Sequence, residues 1–390
     1  MKRRDSKTEI NGSRVSVFIL HNTVTPYRLP LFEELNQHYD INVLFCERKT
    51  EDRKWKISVK GYSFSYKIIP SIRISRIIIN PSIIFELARS KNDVYIVAEN
   101  EENYPSILFV CLWAFLKRKP LVLWNEHVPI GKEYENYLRR ESGNIKYNLK
   151  RRLTNLTRVI IYKFPKKFLS MSGTLSDQFL KQYKVSEDRI YTNTQIMPKT
   201  MLAINDDSKE YKKYGKYLLY LGYLRPEKSI DELIKTFSDL RVSSYRLLIV
   251  GVGPEKDKLT KMAINVKNIS FLDYIDGPKK ASLLSNAAAL VLPSMYEPWG
   301  LVVNEALYYS TPVIVSDRVA ASDLVIEGNN GLRYEYGNRM GFKTTLNNFM
   351  REENLREKLS NGAKNTDVTS LSDTEYGIRH FIKAIDSLEM

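Results

Sequence analysis

The chain has 390 residues, 43% hydrophobic residues and a formal net charge of +15. This length exceeds that of a typical single core, and the lack of any run of about 18 uninterrupted apolar residues argues against a membrane-spanning helix. Only two cysteines, Cys46 and Cys111, are present, which argues against a disulfide framework and structural zinc and favours a reducing, cytoplasmic compartment.

Short apolar runs alternate with helical periods along the whole chain, which is typical of parallel sheets covered by helices. In the first half, strands are predicted at residues 15–20, 41–45, 94–98, 121–124 and 168–171. In the second half, they are predicted at residues 217–221, 246–250, 270–272, 289–292 and 312–316. The predicted fold class is α/β, with a parallel sheet in each half.

The apolar pattern divides the chain into several regions. Residues 1–13 are polar and basic, lack the apolar stretch of a signal peptide and are predicted to be disordered. An N-terminal domain over 14–200 and a C-terminal domain over 215–369 are joined by a linker at 201–214, where polar residues interrupt the pattern. Residues 370–390 are predicted to form a helix that could pack back on the N-terminal domain.

The excess of positive over negative charge lies entirely in the first half of the chain. Residues 1–200 contain 35 Lys and Arg against 20 Asp and Glu, whereas residues 201–390 contain 25 of each class. The densest part is 150–167, which holds no acid and has apolar residues between its cations. Such a helix could lie on an anionic membrane or could be a solvated face of its own domain. A nucleic-acid surface is disfavoured, because no recognised binding motif accompanies the charge.

Two carboxylates stand out in the second half, Glu297 and Glu305, around the start of a predicted helix. Pro298 followed by an apolar run indicates the helix opening, and the first N–H groups of a helix, here around Gly300, Leu301 and Val302, can bind an anion such as a diphosphate. Eight helical residues would span roughly 12 Å, more than the spacing of a glycosidase pair, so the two acids are predicted to hold different parts of one long ligand.

A second phosphate-binding loop is predicted after the strand at 217–221. Lys228 lies near the start of the next helix and could contact a diphosphate as a compact charge, and Arg225 could add a forked one. Either residue could equally be a solvated surface cation.

Taken in order, these segments resemble family 4 of the retaining glycosyltransferases, also described as glycosyl transferases group 1, which have the GT-B fold. The motifs that carry the resemblance are Glu227-Lys228, Val250-Gly251-Val252-Gly253-Pro254, Leu292-Pro293-Ser294, the Glu297 to Glu305 span, Thr311 to Asp317 and Gly328-Asn329-Asn330-Gly331. The resemblance implies two Rossmann-like domains facing a central cleft. It also implies a nucleoside diphosphate sugar as donor substrate, with neither a divalent metal nor another cofactor.

The resemblance also implies roles for individual residues. Lys228 would neutralise the diphosphate, Glu305 would hold the ribose, and Glu297 with the backbone after Trp299 would contact the donor sugar. Further donor contacts would involve residues of the neighbouring loops, namely Gly222, Arg225, Gly253 and Tyr274. This chain departs from the family pattern at Tyr223, where the family commonly has a phosphate-binding arginine, and at Ser229, where it has glycine.

Two loops of the N-terminal domain are candidates for acceptor-side chemistry, because ligands gather at the carboxyl ends of parallel strands. The loop 21–28 lacks the glycines that many family members have there. In the loop after 121–124, His127 corresponds roughly to an active-site histidine of some family enzymes, and Glu126 is its nearest rival. Glu99 and Glu101 are weaker candidates.

The predicted function is transfer of a hexose-like sugar to a hydroxyl of a saccharide or lipid-linked acceptor, with retention of anomeric configuration, in the synthesis of cell-surface polysaccharide or glycolipid. Peripheral attachment to the inner face of the cell membrane would suit the basic N-terminal domain. Two alternatives stay open: another GT-B activity, such as that of an epimerase or a phosphorylase, and a non-catalytic binder of nucleotide sugars.

Overall fold

The computed structural model describes residues 9–10, 13–48, 61–198, 202, 209–368, 370 and 374–388. The chain divides into two compact units. The first unit consists of Met1–His127, Ser142–Pro198 and Ser372–Met390, and the second of Val128–Glu141 and Lys199–Leu371. Most of the predicted tail at 1–13 and linker at 201–214 lies outside the described residues. Of these segments, residues 9–10 pair with 13–14, and Lys209–Tyr214 forms a 3-10 helix.

The first unit is built on a parallel sheet, with strands and helices numbered along the whole chain. Its strands are β1 Glu9–Ile10, β2 Ser13–Arg14, β3 Ser16–Thr23, β4 Asp40–Glu47, β5 Ser65–Ile68, β6 Ile72–Ile74, β7 Ile77–Ile79, β8 Val94–Ala98, β9 Leu121–Asn125, β10 Lys167–Ser170 and β11 Ile190–Thr192. Its helices are α1 Leu29–His38, α2 Ile83–Arg89, α3 Tyr104–Leu116, α5 Asn144–Ile161, α6 Gly173–Gln182 and α13 Thr374–Asp386. Within the described residues, the sheet has the order β11-β10-β9-β8-β3-β4-β5.

Alternate residues of the central strand β3 enter two separate cores, one on each face of this sheet. Val17 and Ile19 belong to the core shared with α1 and α13, whereas Phe18 and Leu20 belong to the core shared with α2 and α3. Successive side chains of a strand point to opposite faces of the sheet, and helices cover both faces here. Both sets of β3 side chains are therefore apolar. On the first face, Phe381 of α13 packs edge-on against Trp124, so the last helix completes the core of the first unit.

The second unit is also built on a parallel sheet. Its strands are β12 Tyr217–Leu221, β13 Arg246–Val250, β14 Ile269–Leu272, β15 Ala289–Leu292, β16 Val313–Ser316 and β17 Gly331–Tyr334. Its helices are α4 Lys132–Ser142, α7 Ile230–Leu240, α8 Lys256–Met262, α9 Gly277–Ser285, α10 Leu301–Tyr308, α11 Arg339–Arg351 and α12 Glu353–Lys364. In the described part of the chain, the order is β14-β13-β12-β15-β16-β17, and every pairing in it is parallel.

All the predicted strands lie on observed strands, and the predicted α/β class is confirmed. The strands that the apolar pattern did not predict include β5, β11 and β17, which lie at sheet edges. An edge strand buries fewer side chains and so lacks a continuous apolar run; β5, for example, is largely exposed. No helix among the described residues combines the length and the apolar character needed to cross a bilayer.

His21, on β3, connects the stability of the first unit to pH. Its ring packs against Phe32, Phe45 and Trp124, and its Nδ1 lies 3.0 Å from the carbonyl oxygen of Thr23. Burial, together with the nearby Arg28, lowers the pKa of His21 from 6.5 to about 4. The imidazole is therefore neutral in the folded protein at pH 6.

We expect the free energy of unfolding to fall as the pH drops from about 6.5 to about 4, because there the unfolded chain binds a proton at His21 and the folded chain does not. This group alone contributes on the order of 3 kcal/mol over that interval. Urea denaturation at several pH values measures the effect. His21→Asn should show a shallower fall than the native chain, and an unchanged slope would contradict the assignment.

Candidate active site

The second unit brings its predicted site residues to one edge of its sheet. Since the strands are parallel, the loops that follow β14, β13, β12 and β15 all leave from the same edge. Between β12 and β15 the order of connections reverses, and ligands of open parallel sheets bind at such a switch point. The two loops at this point are joined, because the N–H of Met295 donates to the carbonyl oxygen of Glu227 over 2.9 Å.

Lys228 and Glu297 meet at this switch point. The Nζ of Lys228 lies 2.5 Å from an Oε of Glu297, and the two side chains are only 16% and 14% exposed. Lys228 ends a short 3-10 turn, Pro226–Lys228, after which Ser229 has a left-handed backbone with φ of 52° and hydrogen-bonds to Tyr336 over 3.0 Å. Glycine adopts that conformation without the steric cost that a side chain brings, which accounts for the glycine of the family pattern at this position.

Helix α10 begins at Leu301, three residues later than Pro298, where the sequence predicted its opening. The backbone of Glu297 instead forms a bridge with Val319, and Gly300 has a φ of 97°, so the chain turns there before the helix can start. Glu297 therefore lies in the loop and Glu305 on the helix, and the assumption of eight helical residues between them was wrong. The N–H groups of Gly300, Leu301 and Val302 stand at the helix start, where N–H groups lack intrahelical partners.

Glu305 belongs to a second charged group at the same edge. Its carboxylate accepts a hydrogen bond from Lys280 over 2.8 Å, and Lys280 also lies 3.3 Å from Asp276. Burial by itself would lower the pKa of Lys280, but the carboxylates of Glu305 and Asp276 outweigh it and raise that pKa. Tyr274 donates to Asp276 over 3.0 Å. The sequence had predicted Glu305 and Tyr274 as site residues. It did not predict Lys280 and Asp276, because neither belongs to a short motif.

Arg225 lies against the residue that departs from the family pattern. Its guanidinium carbon is 4.8 Å from the centre of the Tyr223 ring, and its Nη1 is 4.0 Å from Glu227. The N–H of Arg225 donates to the carbonyl oxygen of Tyr223 over 3.1 Å, so the backbone turns tightly there and both side chains point to the same side. A cation is therefore present in this loop although its usual position is occupied by tyrosine.

Gly251 and Gly253 let the loop after β13 contact the loop after β12. A Cβ on Gly251 would lie 1.9 Å from the carbonyl oxygen of Gly222, and one on Gly253 would lie 2.3 Å from that of Leu224. The predicted site residue Gly253 thus has a structural role, because its close approach to Leu224, like that of Gly251 to Gly222, fixes the loop that carries Arg225.

A segment of the second unit that the sequence boundaries assigned to the N-terminal domain, Val128–Glu141, lies beside the same loops. The ring of Tyr134 stacks on that of Tyr296 with centroids 4.8 Å apart, next to Glu297. Its apolar pattern is weak, as α4 has no buried residue among those described, and so it gave no signal in the sequence.

In the first unit, the structure distinguishes Glu126 from His127. Glu126 forms an ion pair with Arg28 and accepts a hydrogen bond from the indole N–H of Trp124 over 2.9 Å. Burial alone would raise the pKa of Glu126, but Arg28 outweighs it and lowers that pKa. The loop 21–28 thus contributes a buried arginine, Arg28, to which the sequence had assigned no role; Arg28 also bonds to Gln195.

His127 lies at the edge of a buried ionic cluster. Its Nε2 is 3.7 Å from Glu99 and has no hydrogen-bond partner. Burial, which outweighs the nearby carboxylate of Glu99, lowers the pKa of His127, so its imidazole is neutral near pH 7. This Nε2 is buried against Glu99, and about a fifth of the His127 side chain is exposed, so only the remainder of the ring can contact a ligand.

Glu99 itself is held by three donors. It accepts hydrogen bonds from Arg158 over 2.7 Å, Tyr104 over 2.8 Å and Tyr162 over 2.6 Å. Burial by itself would raise the pKa of Glu99, but Arg158 and His127 outweigh it and lower that pKa. Arg158 also pairs with Glu101 over 3.0 Å. The two weaker acidic candidates therefore anchor α5. Within the described ranges, no group of three or more His, Cys, Asp or Glu side chains could hold a metal ion.

The sequence model of the family described as Glycosyl transferases group 1 matches residues 204–366, the part of the chain that contains β12 to β17 and the charged pairs of the second unit. An uncharacterised glycosyltransferase of Methanocaldococcus jannaschii is 28% identical over 148 residues, which are 37% of this chain and 38% of that protein. The O-antigen chain mannosyltransferase RfbU of Salmonella typhimurium is 30% identical over 167 residues, which are 42% of this chain and 45% of that protein. The chain thus spans less than half the length of these two curated relatives.

Solved structures resemble nearly the whole chain. The crystal structure of Anabaena HepE in complex with UDP has a TM-score of 0.72 and 14% sequence identity, and the match covers 96% of this chain and 100% of that one. The same protein has also been crystallised with UDP-glucose. The predicted GT-B fold, with two Rossmann-like parallel-sheet domains, is confirmed.

We expect Gly253→Ala to lower the free energy of unfolding by about 3 kcal/mol, because the new methyl group would overlap the backbone of Leu224. Urea denaturation measures the change. Gly215→Ala is the control, since only its left-handed backbone opposes a Cβ there, at a cost of about 1 kcal/mol. Equal losses in the two variants would show that the contact between the loops has no energetic weight.

Proposed function

We propose that this protein is a retaining glycosyltransferase of family 4, which transfers a hexose-like sugar from a nucleoside diphosphate sugar to a hydroxyl group. The observation that carries the proposal is the contact between Lys228 and Glu297 at the switch point of the second sheet, beside the start of α10. A cation, a carboxylate and helix N–H groups meet there, which are the groups that a diphosphate and a sugar require.

Donor binding would rearrange the Lys228–Glu297 pair. A diphosphate carries more negative charge than one carboxylate, so it would attract Lys228 away from Glu297. The freed carboxylate of Glu297 could then accept hydrogen bonds from hydroxyl groups of the donor sugar. The pair thus holds both groups at the site before the donor arrives, which lowers the cost of ordering them.

Departure of the diphosphate is the step that needs the most assistance. As the bond between the sugar and the phosphate oxygen lengthens, negative charge grows on that oxygen. Lys228, Arg225 and the N–H groups at the start of α10 would stabilise this charge more strongly in the transition state than in the ground state. The incoming hydroxyl would approach from the same face of the sugar and pass its proton to the departing phosphate, which retains the anomeric configuration. These groups supply the positive charge without a divalent metal or cofactor, so EDTA should leave the rate unchanged.

The second charged group would bind the nucleoside. Glu305 would accept hydrogen bonds from the ribose hydroxyls, and the hydrogen bond from Lys280 orients its carboxylate until the donor binds. Tyr274, which is about half exposed, would pack against the base. HepE has been crystallised with UDP, which makes UDP the first nucleotide to test.

For the first unit, we propose His127 as the residue that contacts substrate. Glu126 is paired with Arg28, whereas the ring of His127 is neutral and about a fifth of its side chain is exposed. A neutral imidazole can hydrogen-bond a sugar hydroxyl without adding charge.

The acceptor we propose is a saccharide or a lipid-linked saccharide of cell-surface polysaccharide synthesis, at the cytoplasmic face of the membrane. The likeness to an O-antigen chain mannosyltransferase supports this class of acceptor. The excess of cations in residues 1–200 supports contact with anionic lipid. Cys46 and Cys111 are both free and buried, in keeping with the reducing compartment that the sequence predicts.

We expect Lys228→Ala to lower kcat by about 10²- to 10³-fold, because it removes charge that stabilises the leaving group. It should also weaken UDP binding. Glu297→Gln should lower kcat while leaving UDP binding equal or stronger, since Lys228 loses its competing carboxylate. Calorimetric titration with UDP and a transfer assay with a panel of UDP-, GDP- and dTDP-sugars measure the two effects.

Lys235→Ala is the matched control, because Lys235 lies on α7 with its side chain about half exposed and pairs only with Asp231 among the ion pairs of the described residues. A normal transfer rate in both Lys228→Ala and Glu297→Gln would contradict the site. The same assay separates the alternatives: an epimerase would change the donor without an acceptor, a phosphorylase would require inorganic phosphate, and a non-catalytic binder would bind UDP without turnover.

We expect Arg225→Ala to weaken UDP binding by about tenfold, as the loss of one charge-assisted hydrogen bond predicts. Tyr223→Phe should bind UDP normally, because a phenylalanine ring still packs under the guanidinium. If Tyr223→Phe weakened binding as much as Arg225→Ala, the tyrosine hydroxyl rather than Arg225 would be the phosphate ligand.

A further inference from the structure

Helix α3 of the first unit exposes large apolar side chains on one side. Phe109, Leu112 and Leu116 follow a helical spacing of three and four residues, and Phe115 lies beside them; Leu116 is 74% exposed. The opposite side, with Ile107, Val110 and Ala114, is buried in the core. The helix contains no charged residue, and Lys117, Arg118 and Lys119 follow it directly.

Helix α5 has the same arrangement. Its apolar side chains Ile145, Leu149, Leu153, Leu156 and Ile160 recur every three or four residues, and every one of them is exposed. The inner side is fixed by Tyr147, Ile161 and Arg158, and Arg158 donates to the buried Glu99. The ion pair between Arg158 and Glu99 thus fixes the orientation of α5. The helix could not turn its apolar side into the core without breaking this buried pair.

The two exposed sides are neighbours. Helix α3 contacts α5 and α2, and the ring of Phe115 lies 5.9 Å from that of Phe164, just after α5. Helix α2 adds Ile84 and Phe85, both exposed. We call the exposed apolar side chains of α2, α3 and α5 the apolar face. Exposed apolar patches of this extent mark interaction surfaces.

The charge around the apolar face identifies its partner. Residues 104–125 and 142–167 contain 11 Lys and Arg and no Asp or Glu, and all of these cations except the buried Arg158 are at least partly exposed. A second copy of this chain would bring cations against cations, and a nucleic acid would leave the leucines unsatisfied. An anionic bilayer matches both properties, since its headgroups attract the cations and its acyl chains accept the apolar side chains.

We infer that the apolar face is a membrane-docking surface, in which α3 and α5 lie in the plane of an anionic bilayer with their leucine and phenylalanine side chains below the headgroups. The inference rests on the first unit alone and is independent of the donor-site assignment. It goes beyond attraction between a basic domain and anionic lipid. Apolar side chains inserted among the acyl chains would hold the protein on the membrane even when salt has screened the charges.

The test is flotation of the full chain with vesicles of phosphatidylcholine, with and without about 30% phosphatidylglycerol, at low and high salt. The native chain should float with the anionic vesicles and stay partly bound at high salt. A triple variant, Leu116→Ser, Leu153→Ser and Leu156→Ser, should bind at least about tenfold more weakly at both salt concentrations. A charge variant, Lys150→Gln, Arg152→Gln and Lys163→Gln, should lose about fivefold per removed cation at low salt only.

The matched control is Ile264→Ser with Met340→Ser, which removes two exposed apolar side chains of the second unit and should bind like the native chain. Unchanged binding of the triple serine variant, or loss of all native binding at high salt, would overturn the inference. So would a native chain that elutes as a dimer while the triple serine variant elutes as a monomer, because the apolar face would then be occupied by a second copy.

Depth of insertion gives a second readout that does not depend on removing side chains. Because the chain has four native tryptophans, quenching by lipids brominated in their acyl chains is compared with that of the native chain: Leu153→Trp should add quenched emission, whereas Ile264→Trp should add emission that is not quenched. Equal quenching of the two, or of neither, would contradict docking through the apolar face.

Discussion

The partly buried ion pair between Lys228 and Glu297 is the constraint on which the second unit depends. Each charge requires a partner once it is removed from water, and the two can pair only if the loops after β12 and β15 leave the same sheet edge as neighbours. The parallel sheet, the left-handed Ser229 and the glycines that let the loops pack closely all serve that arrangement. In the proposed function, a diphosphate sugar would replace this one pairing by two.

The first unit follows the same logic with a different result. Glu99 follows β8 and accepts hydrogen bonds from Arg158, Tyr104 and Tyr162. Its carboxylate therefore stabilises the fold and is not free to bind a ligand. Glu126 likewise forms an ion pair with Arg28. The neighbouring His127 is left neutral with an unpartnered nitrogen. The ionic cluster also connects this strand end with α5, so the residue proposed to contact substrate and the helix proposed to contact lipid share one buried acid.

Much of the fold could be predicted from the sequence, because central strands of a doubly wound sheet are apolar on both faces. Edge strands such as β17 could not, since their pattern is too short and mixed. In the site, Lys228, Glu297 and Glu305 belong to a local motif with a recognisable order. Lys280, Arg28 and Tyr134 do not: each acquires its place from a contact with a residue distant in sequence, and a single sequence does not reveal such pairs. The start of α10 was misplaced because Gly300, not Pro298, sets the turn.

The return of α13 to the first unit determines the order in which the chain can mature during synthesis. Phe381 covers Trp124, and Ile378, Ile385 and Leu388 fill the same core, so the core on this side of the first sheet, which α1 partly covers, is incomplete until these residues have been made. By then all of β12 to β17 has been made. The first sheet is therefore translated first and its core is completed last, and in the interval it exposes apolar surface of the kind that chaperones bind.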